Sequence, residues 1–302
     1  MKKSVKAVCF GEILFDVFPD RERIGGAPLN VASRLSSLGV ETEMISSIGE
    51  DARGENLLNY LASKNIATGN IIKDTQRPTG LVKVNLSESG SATYEIRYPV
   101  AWDRIEYTDR MADAVKASDA FIFGSLVCRD EVSRNTLFQL IPKAKFRVLD
   151  CNLRAPHYSD DLLIELMKHA EFIKFNDDEL FEIAQMMGSE YNSLEQNLLF
   201  MAVKTKADTI CVTKGNHGAV LLHDKKMYYN SGYRIKVKDT VGAGDSFLGT
   251  LLAKLLQGEK PQVSLDTACA MGALVAAKEG ANPDISTELL SRFMNPMQKS
   301  SS

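Results

Sequence analysis

Short apolar runs recur along the chain at residues 5–10, 43–48, 120–124, 146–150, 172–175 and 209–213. Runs of this length, bounded by polar residues and glycines, read as buried strands. Between them the apolar positions change to helical spacing. Val31, Leu35 and Leu38 stand at i, i+4 and i+7 behind Pro28, which suits a first helical turn, and Gly39 is a good stop. Leu57, Leu58 and Leu61 give the next helix an apolar face. Further helices are expected at 131–140, 162–170, 177–187, 247–256 and 263–278, with a last fragment from 291 and a frayed end at 298–302. Short strands alternating with helices of about ten residues predict an α/β fold, a mostly parallel sheet covered on both faces.

One stretch departs from this rhythm. Val82, Val84 and Leu86 alternate with Lys83 and Asn85, residues 87–91 are polar, and Ala92, Tyr94, Ile96 and Tyr98 alternate with Thr93, Glu95 and Arg97. Period-two patterning around a polar turn predicts an antiparallel hairpin with one apolar and one wet face. Residues 17–23 read as a polar connection with a turn at Pro19-Asp20, and residues 220–222 as a strand returning beside 209–213. A last alternating run ends at Val237. No internal repeat and no low-complexity linker divides residues 1–302, so a single domain is expected.

Composition narrows the partners. A net charge of −3 gives no electrostatic reason to expect nucleic acid or an anionic membrane. No apolar run approaches the ~20 residues that span a bilayer, and the basic N-terminus lacks a long apolar segment and cleavage site, so no signal peptide is expected. The five cysteines are scattered without a Cys-x-x-Cys pair, which indicates neither a disulfide framework nor a zinc knuckle. A reducing cytoplasm is the expected location. The four histidines form no His-x-x-x-His pair, so a metal-hydrolase reading lacks ligands.

The candidate chemistry centres on Gly242-Ala243-Gly244-Asp245, between the run ending at Val237 and the helix from Phe247. The first N–H groups of a helix are unsatisfied and partly positive, so such a turn suits an anion. On position alone Asp245 is a favourable first-turn cap. Beside a bound anion its charge would repel, unless it takes a proton or holds a metal. Phe247 stands where a dinucleotide fingerprint needs its third glycine, Gly11-Glu12-Ile13 offers no such fingerprint after the first strand, and no Lys-Ser/Thr pair completes a P-loop.

Asp239-Thr240-Val241-Gly242-Ala243-Gly244-Asp245-Ser246-Phe247 closely resembles the C-terminal signature of the ribokinase-like (PfkB) sugar kinases. Other motifs fall in the family's order. Gly25-Gly26 followed by Asn30 resembles its N-terminal motif, although Ala27 and Pro28 stand where some members carry a lysine. Gly11-Glu12 with Asp16, Gly49-x-Asp51-x-x-Gly54, Asn176-x-x-Glu179 and Thr213-x-Gly215-x-x-Gly218 also match. Asp150-Cys151-Asn152-Leu153-Arg154 is similar to a segment of fructokinase-like members, with Cys151 in place of the usual proline.

The resemblance implies a ribokinase-like fold with a small β-lid, formed mainly by about 12–24 and 78–104, closing over the sugar. It implies an ATP-dependent sugar kinase, most like the fructokinases, making fructose 6-phosphate. Asp245 would be the base, and Gly242, Ala243, Gly244 and Asp245 the anion hole. Asp16, Gly25, Gly26, Asn30, Arg97, Asn152 and Arg154 would meet the sugar, with Trp102 nearby. Asn30 carries both donor and acceptor, which suits a polyol. Asn176 and Glu179 would hold nucleotide phosphates and magnesium-bound water. Thr213, Lys214, Gly215, Gly218 and Cys269 would face ATP, and Asp239 and Asp284 would supply oxygens to a potassium ion. The Gly49–Gly54 turn is expected to shape the fold. Ribokinase, 2-keto-3-deoxygluconate kinase and nucleoside kinases share the scaffold. A non-catalytic sugar or nucleotide sensor would have lost the base or the glycines, and both are intact. The hairpin's apolar face can cover the sugar or pair with a second copy in a homodimer.

Overall fold

The computed structural model describes residues 4–86 and 92–295, leaving outside it the expected turn at 87–91, the frayed end at 298–302 and the side chains at 85, 86 and 92–94. Two compact units result, Met1–His169 and Ala170–Ser302.

In the first unit the elements are β1 (Lys6–Phe10), β2 (Leu14–Val17), β3 (Glu22–Gly25), α1 (Ala27–Ser37), β4 (Glu41–Gly49), α2 (Ala52–Ser63), β5 (Ile66–Asp74), β6 (Gly80–Leu86), β7 (Ala92–Ile96), α3 (Asp109–Ala117), β8 (Ala120–Gly124), α4 (Glu131–Leu140), β9 (Arg147–Asp150) and α5 (Asp160–Lys168). The larger sheet runs β9-β8-β1-β4-β5 with every neighbour parallel. Ala7 to Phe10 are all buried, which explains why this strand reads as a continuous apolar run without alternation. α1 opens with Pro28 in its first turn, and Gly39 follows its end at φ +80°.

The Gly49–Gly54 turn acts on the fold, as expected. Asp51 caps α2 by accepting from Gly54 N–H at 2.8 Å, and it also takes the Thr79 N–H at 2.8 Å and hydroxyl at 2.7 Å. It thereby ties α2 to the segment entering β6. Burial pushes the Asp51 carboxyl up, but the bonds from Thr79, Gly54 and Arg53 outweigh it and hold its pKa below the ordinary value. A depressed carboxylate contributes stability above its unfolded pKa of about 3.9 and loses it as pH falls through the folded value. Asp51→Ala is therefore expected to cost about 1–2 kcal/mol near neutrality, through the lost cap and the orphaned Thr79 donors. The loss should shrink below about pH 4. Thermal melts of both proteins from pH 3 to 7 check this, and a pH-independent difference would contradict it.

A second, small sheet runs β3-β2-β6-β7. The predicted hairpin is present, with β6 antiparallel to β7 and Val82 opposite Ile96. Residues 17–23 correct the sequence reading. They are not merely a connection, because Asp16 and Val17 pair with Arg23 and Glu22 in an antiparallel ladder around the expected Pro19-Asp20 turn. These two strands lie in the stretch of about 12–24 that the resemblance assigns to the lid; at four residues each they are too short for period-two counting to find. Val82 and Val84 are buried within the single chain, so this face of β6 needs no second copy to cover it. Trp102, expected near the sugar, is fully buried and packs on Gly80, where a Cβ would lie 2.6 Å from the indole. It is a core residue.

The second unit contains β10 (Phe172–Asn176), α6 (Asp177–Met186), α7 (Leu194–Thr205), β11 (Thr209–Thr213), β12 (Ala219–His223), β13 (Lys226–Asn230), α8 (Ala243–Leu256), α9 (Pro261–Ala276) and α10 (Thr287–Met294). Its strands run β13-β12-β11-β10, with β10 and β11 parallel and the other pairs antiparallel. The alternation ending at Val237 builds no strand. Residues 231–237 pair with no ladder, and Val237 is 54% exposed. Among the described residues no helix is long and apolar enough to cross a membrane. All five cysteines are buried free thiols. Both units are α/β, and the fold is the expected mostly parallel sheet with helices plus a small second sheet.

Candidate active site

In the second unit the chain enters α8 through Gly242, the N-cap residue, at φ +73°. This left-handed conformation is open to glycine at no steric cost. A Cβ at Gly242 would also lie 2.6 Å from the Ala281 Cα and Cβ. The position is thus fixed twice, by torsion and by packing. Gly242 has no side chain with which to cap the helix, and Ala243 N–H closes on Thr240 O at 3.2 Å. The N–H groups of Gly244 and Asp245 lie in the first turn, where helix geometry supplies no partner. Asp245 is half-buried in that same turn.

Gly244 is a glycine for a different reason. Its φ is not left-handed, and the one atom that a Cβ there would approach within 4 Å is the Lys174 Nζ, at 3.7 Å. Lys174 lies in β10 with 5% exposure. A methyl there would already be in van der Waals contact with the ammonium, so the turn and the buried Lys174 are close neighbours. Sequence reading passed over Lys174 inside an apolar strand. The signal was there, because a lysine is almost never fully buried unless it is paired.

Two residues beyond Lys174, β10 ends at Asn176. Its side chain accepts from Glu179 N–H at 2.8 Å, and Glu179 Oε2 accepts from Asn176 N–H at 2.8 Å. This capping box satisfies two donors at the start of α6 and fixes the orientation of both side chains. After β11, Lys214 N–H donates to Gly218 O at 2.8 Å, and a Cβ on Gly218 would strike the backbone of Asn230 and Gly232. Thr213 is half-buried and its hydroxyl reaches Phe175 O at 3.4 Å, while Gly215 turns at φ +53°. Cys269 lies on α9, where burial first and the Asp266 charge second push its thiol up to about 12, against the pull of Lys214. It is a wall, since a thiol held protonated is a poor nucleophile.

Asp239 connects two loops. Its Oδ1 accepts from Val241 N–H at 3.0 Å and its Oδ2 from Gly280 N–H at 3.1 Å. Asp284 is exposed, and its backbone oxygen accepts from Lys278 Nζ at 3.0 Å. Among the described residues no three acidic, histidine or cysteine side chains cluster as a metal set. The oxygens of Asp239, and the carbonyls of the loops it ties, have the hardness that a monovalent or alkaline-earth cation prefers.

In the first unit the carboxyl ends of β1, β8 and β9 open on a small recess whose lining includes Glu12, Pro28, Val31, Ser125, Asp150 and Asn152. Ligands of open α/β sheets bind at such strand ends. Glu12 and Asp150 are each 4% exposed, buried acids that sequence reading quoted within motifs without assigning a role. Asn152 stands at φ +37°, an uncommon conformation for a residue other than glycine. Gly26 turns at φ +112°, and a Cβ there would strike the Glu12 carbonyl. A Cβ on Gly25 would come 2.5 Å from Asp16 Oδ2, so the absence of side chains lets the backbone lie against a carboxylate at Gly25 and against a main-chain carbonyl at Gly26. Asn30 is buried in the first turns of α1. Arg97 and Arg154 do not line this recess: both are exposed, and Arg154 donates to its neighbour's carbonyl, Leu153 O, at 2.8 Å.

Comparison with known proteins agrees with these features. The model of the pfkB family carbohydrate kinases matches residues 5–288. A fructokinase of Vibrio alginolyticus is 27% identical over 305 residues, covering 94% of this chain and 97% of that protein. The structure of a double-mutant fructokinase of Vibrio cholerae O395 bound to fructose, ADP and potassium superposes with a TM-score of 0.84, at 21% identity, over 97% of this chain and 99% of that one. Aminoimidazole riboside kinase of Salmonella enterica, bound to its riboside and an ATP analogue, gives 0.80 at 22% identity over 96% and 99%. A match spanning nearly the whole sequence, on a fold shared end to end, places this chain in the pfkB family of carbohydrate kinases, phosphotransferases with an alcohol group as acceptor.

Proposed function

We propose that this sugar kinase transfers the γ-phosphoryl group of ATP to a hydroxyl of D-fructose, giving fructose 6-phosphate and ADP. The observation that carries the mechanism is the 242–245 turn, a helix N-terminus without a side-chain cap that holds a carboxylate and faces a buried ammonium. The hydroxyl oxygen attacks phosphorus as its proton passes to Asp245, and the bond from phosphorus to the β–γ bridging oxygen breaks. General-base help of this kind is worth about 10²–10⁴-fold. The N–H groups of Gly244 and Asp245, with Lys174, stabilise the charge spreading over the transferred oxygens.

Asp16, Gly25, Gly26, Asn30 and Asn152 orient the sugar, and alignment of the reacting groups supplies much of the rate. Asn176 and Glu179, fixed by their capping box, face the nucleotide phosphates together with Thr213, Lys214, Gly215 and Gly218. Bound magnesium would neutralise phosphate charge, with Glu179 as its protein-side anchor through water. Asp239 is the residue to hold a potassium ion, because it ties the catalytic turn to the loop at Gly280. The small sheet shields the acceptor from water, so that the sugar is phosphorylated in preference to ATP hydrolysis.

The acceptor preference is supported by fructokinases recurring among the relatives that match nearly the full chain. The test is ADP release with magnesium-ATP and fructose, ribose, 2-keto-3-deoxygluconate, tagatose or adenosine, each with and without potassium. Fructose is expected to give the highest kcat/KM, with stimulation by potassium. A different preferred acceptor would overturn the fructose assignment, and no acceptor-dependent ADP release would overturn the mechanism.

A further inference from the structure

The 3-10 turn Leu126–Arg129 follows directly on the recess. Ser125 and Leu126 line the recess, and three residues later Arg129 reaches the small sheet. Its Nη2 donates to Arg97 O, at the end of β7, at 2.6 Å and to Asp103 Oδ2 at 2.9 Å, while Nε donates to Asp103 Oδ1 at 2.7 Å. The Arg129 side chain is 3% exposed and that of Asp103 0%. The guanidinium lies 4.0 Å from the centroid of Trp102 and 5.2 Å from that of Tyr98. Tyr98 in turn donates to Asp130 Oδ2 at 3.0 Å. Trp102 packs on Gly80, the first residue of β6, and its carbonyl accepts from the Ser133 hydroxyl at 2.8 Å.

A single planar cation thus grips the root of β7 and stacks on the ring that seats β6. Mere burial of an ion pair gives little reason for such an arrangement, since an apolar pair of equal volume is commonly as stable. The fork and the plane do something an apolar pair cannot, because they fix direction as well as contact. We propose that Arg129 is a positioning residue for the phosphoryl acceptor, setting the β6–β7 arm of the small sheet, and with it Arg97, relative to the turn that walls the recess. This rests on the acceptor and lid assignment made above. The arm in its place excludes water from the acceptor, and a loosened arm admits water to the γ-phosphate.

Arg129→Lys keeps a cation beside Asp103 but loses the fork and the stacked plane. The acceptor KM is expected to rise about tenfold or more with the ATP KM unchanged and kcat much less affected, because positioning is lost while the base and anion turn remain. Acceptor-independent ADP release should rise as a share of the total. Trp102 is the only tryptophan of the chain, so its emission reports directly whether the stack has been broken. Should Arg129→Lys fail to fold, the double variant Arg129→Met/Asp103→Leu removes both charges and carries the same expectation. Unchanged acceptor KM and unchanged acceptor-independent ADP release, in a variant whose Trp102 emission has moved, would overturn the proposal. Failure of the underlying kinase mechanism looks different, with wild-type protein giving no acceptor-dependent ADP release. Amide exchange of residues 80–86 and 92–96 then decides, since exchange equal to wild type in the variant overturns the anchor and faster exchange supports it.

Discussion

Asparagine in place of Asp245 is expected to lower kcat on any accepted sugar by about 10²–10⁴-fold, with both KM values nearly unchanged. The two side chains have the same shape, and asparagine is tolerated near a helix start, so α8 should form as before. What disappears is a charge that can receive the hydroxyl proton as the oxygen attacks. Loss of a first-turn carboxylate costs the helix only about 0.3–1 kcal/mol of dipole stabilisation, too little to unfold the protein. Steady-state kinetics with fructose, together with a thermal melt, separate the two effects. A melt like that of the native protein with full activity would mean that Asp245 serves only as a first-turn acid of α8, and the base must be sought elsewhere.

The sequence announced the buried parts of this fold more clearly than its edges. β1, β8, β9 and β10 are buried on both faces and carry short apolar runs, which marked them in the sequence. β5 and β13 escaped notice. Edge strands have one neighbour and a partly wet surface, and the burial of β5 alternates irregularly. α7 was missed for a related reason: Leu199 and Val203 are exposed on it, so its apolar residues do not fall on one stripe. The glycine turn was legible because only glycine satisfies both the torsion at 242 and the crowding against Ala281. Trp102 misled because an aromatic beside a hairpin can face ligand or core, and its partners Gly80 and Arg129 are far away in sequence. Lys174 was hidden by the opposite effect. Its neighbours in β10 define an apolar strand, and nothing local says that the ammonium meets a turn some seventy residues later.

That ammonium carries the second large effect. Methionine at position 174 fills a similar volume in the same strand but removes the charge facing the turn. The expected result is a fall of about 10²–10³-fold in kcat, the usual loss when one group that stabilises developing oxyanion charge is deleted. Gly244→Ala tests the same idea from the turn itself. The added methyl would lie 3.7 Å from Lys174 Nζ, ordinary contact distance, and the torsion at Gly244 is open to alanine. On the protein alone this change should be harmless, and replacing glycine with alanine inside a helix is worth about 0.5–1 kcal/mol in its favour. If the γ-phosphoryl group docks against the N–H groups of this turn beside Lys174, the methyl crowds it. The variant should then melt no lower than the native protein and yet turn over far more slowly, with weakened binding of ATP. A Gly244→Ala protein that keeps full activity would show that the transferred group does not lie against Gly244 beside Lys174, and Lys174 would then be a structural lysine whose charge serves the fold alone.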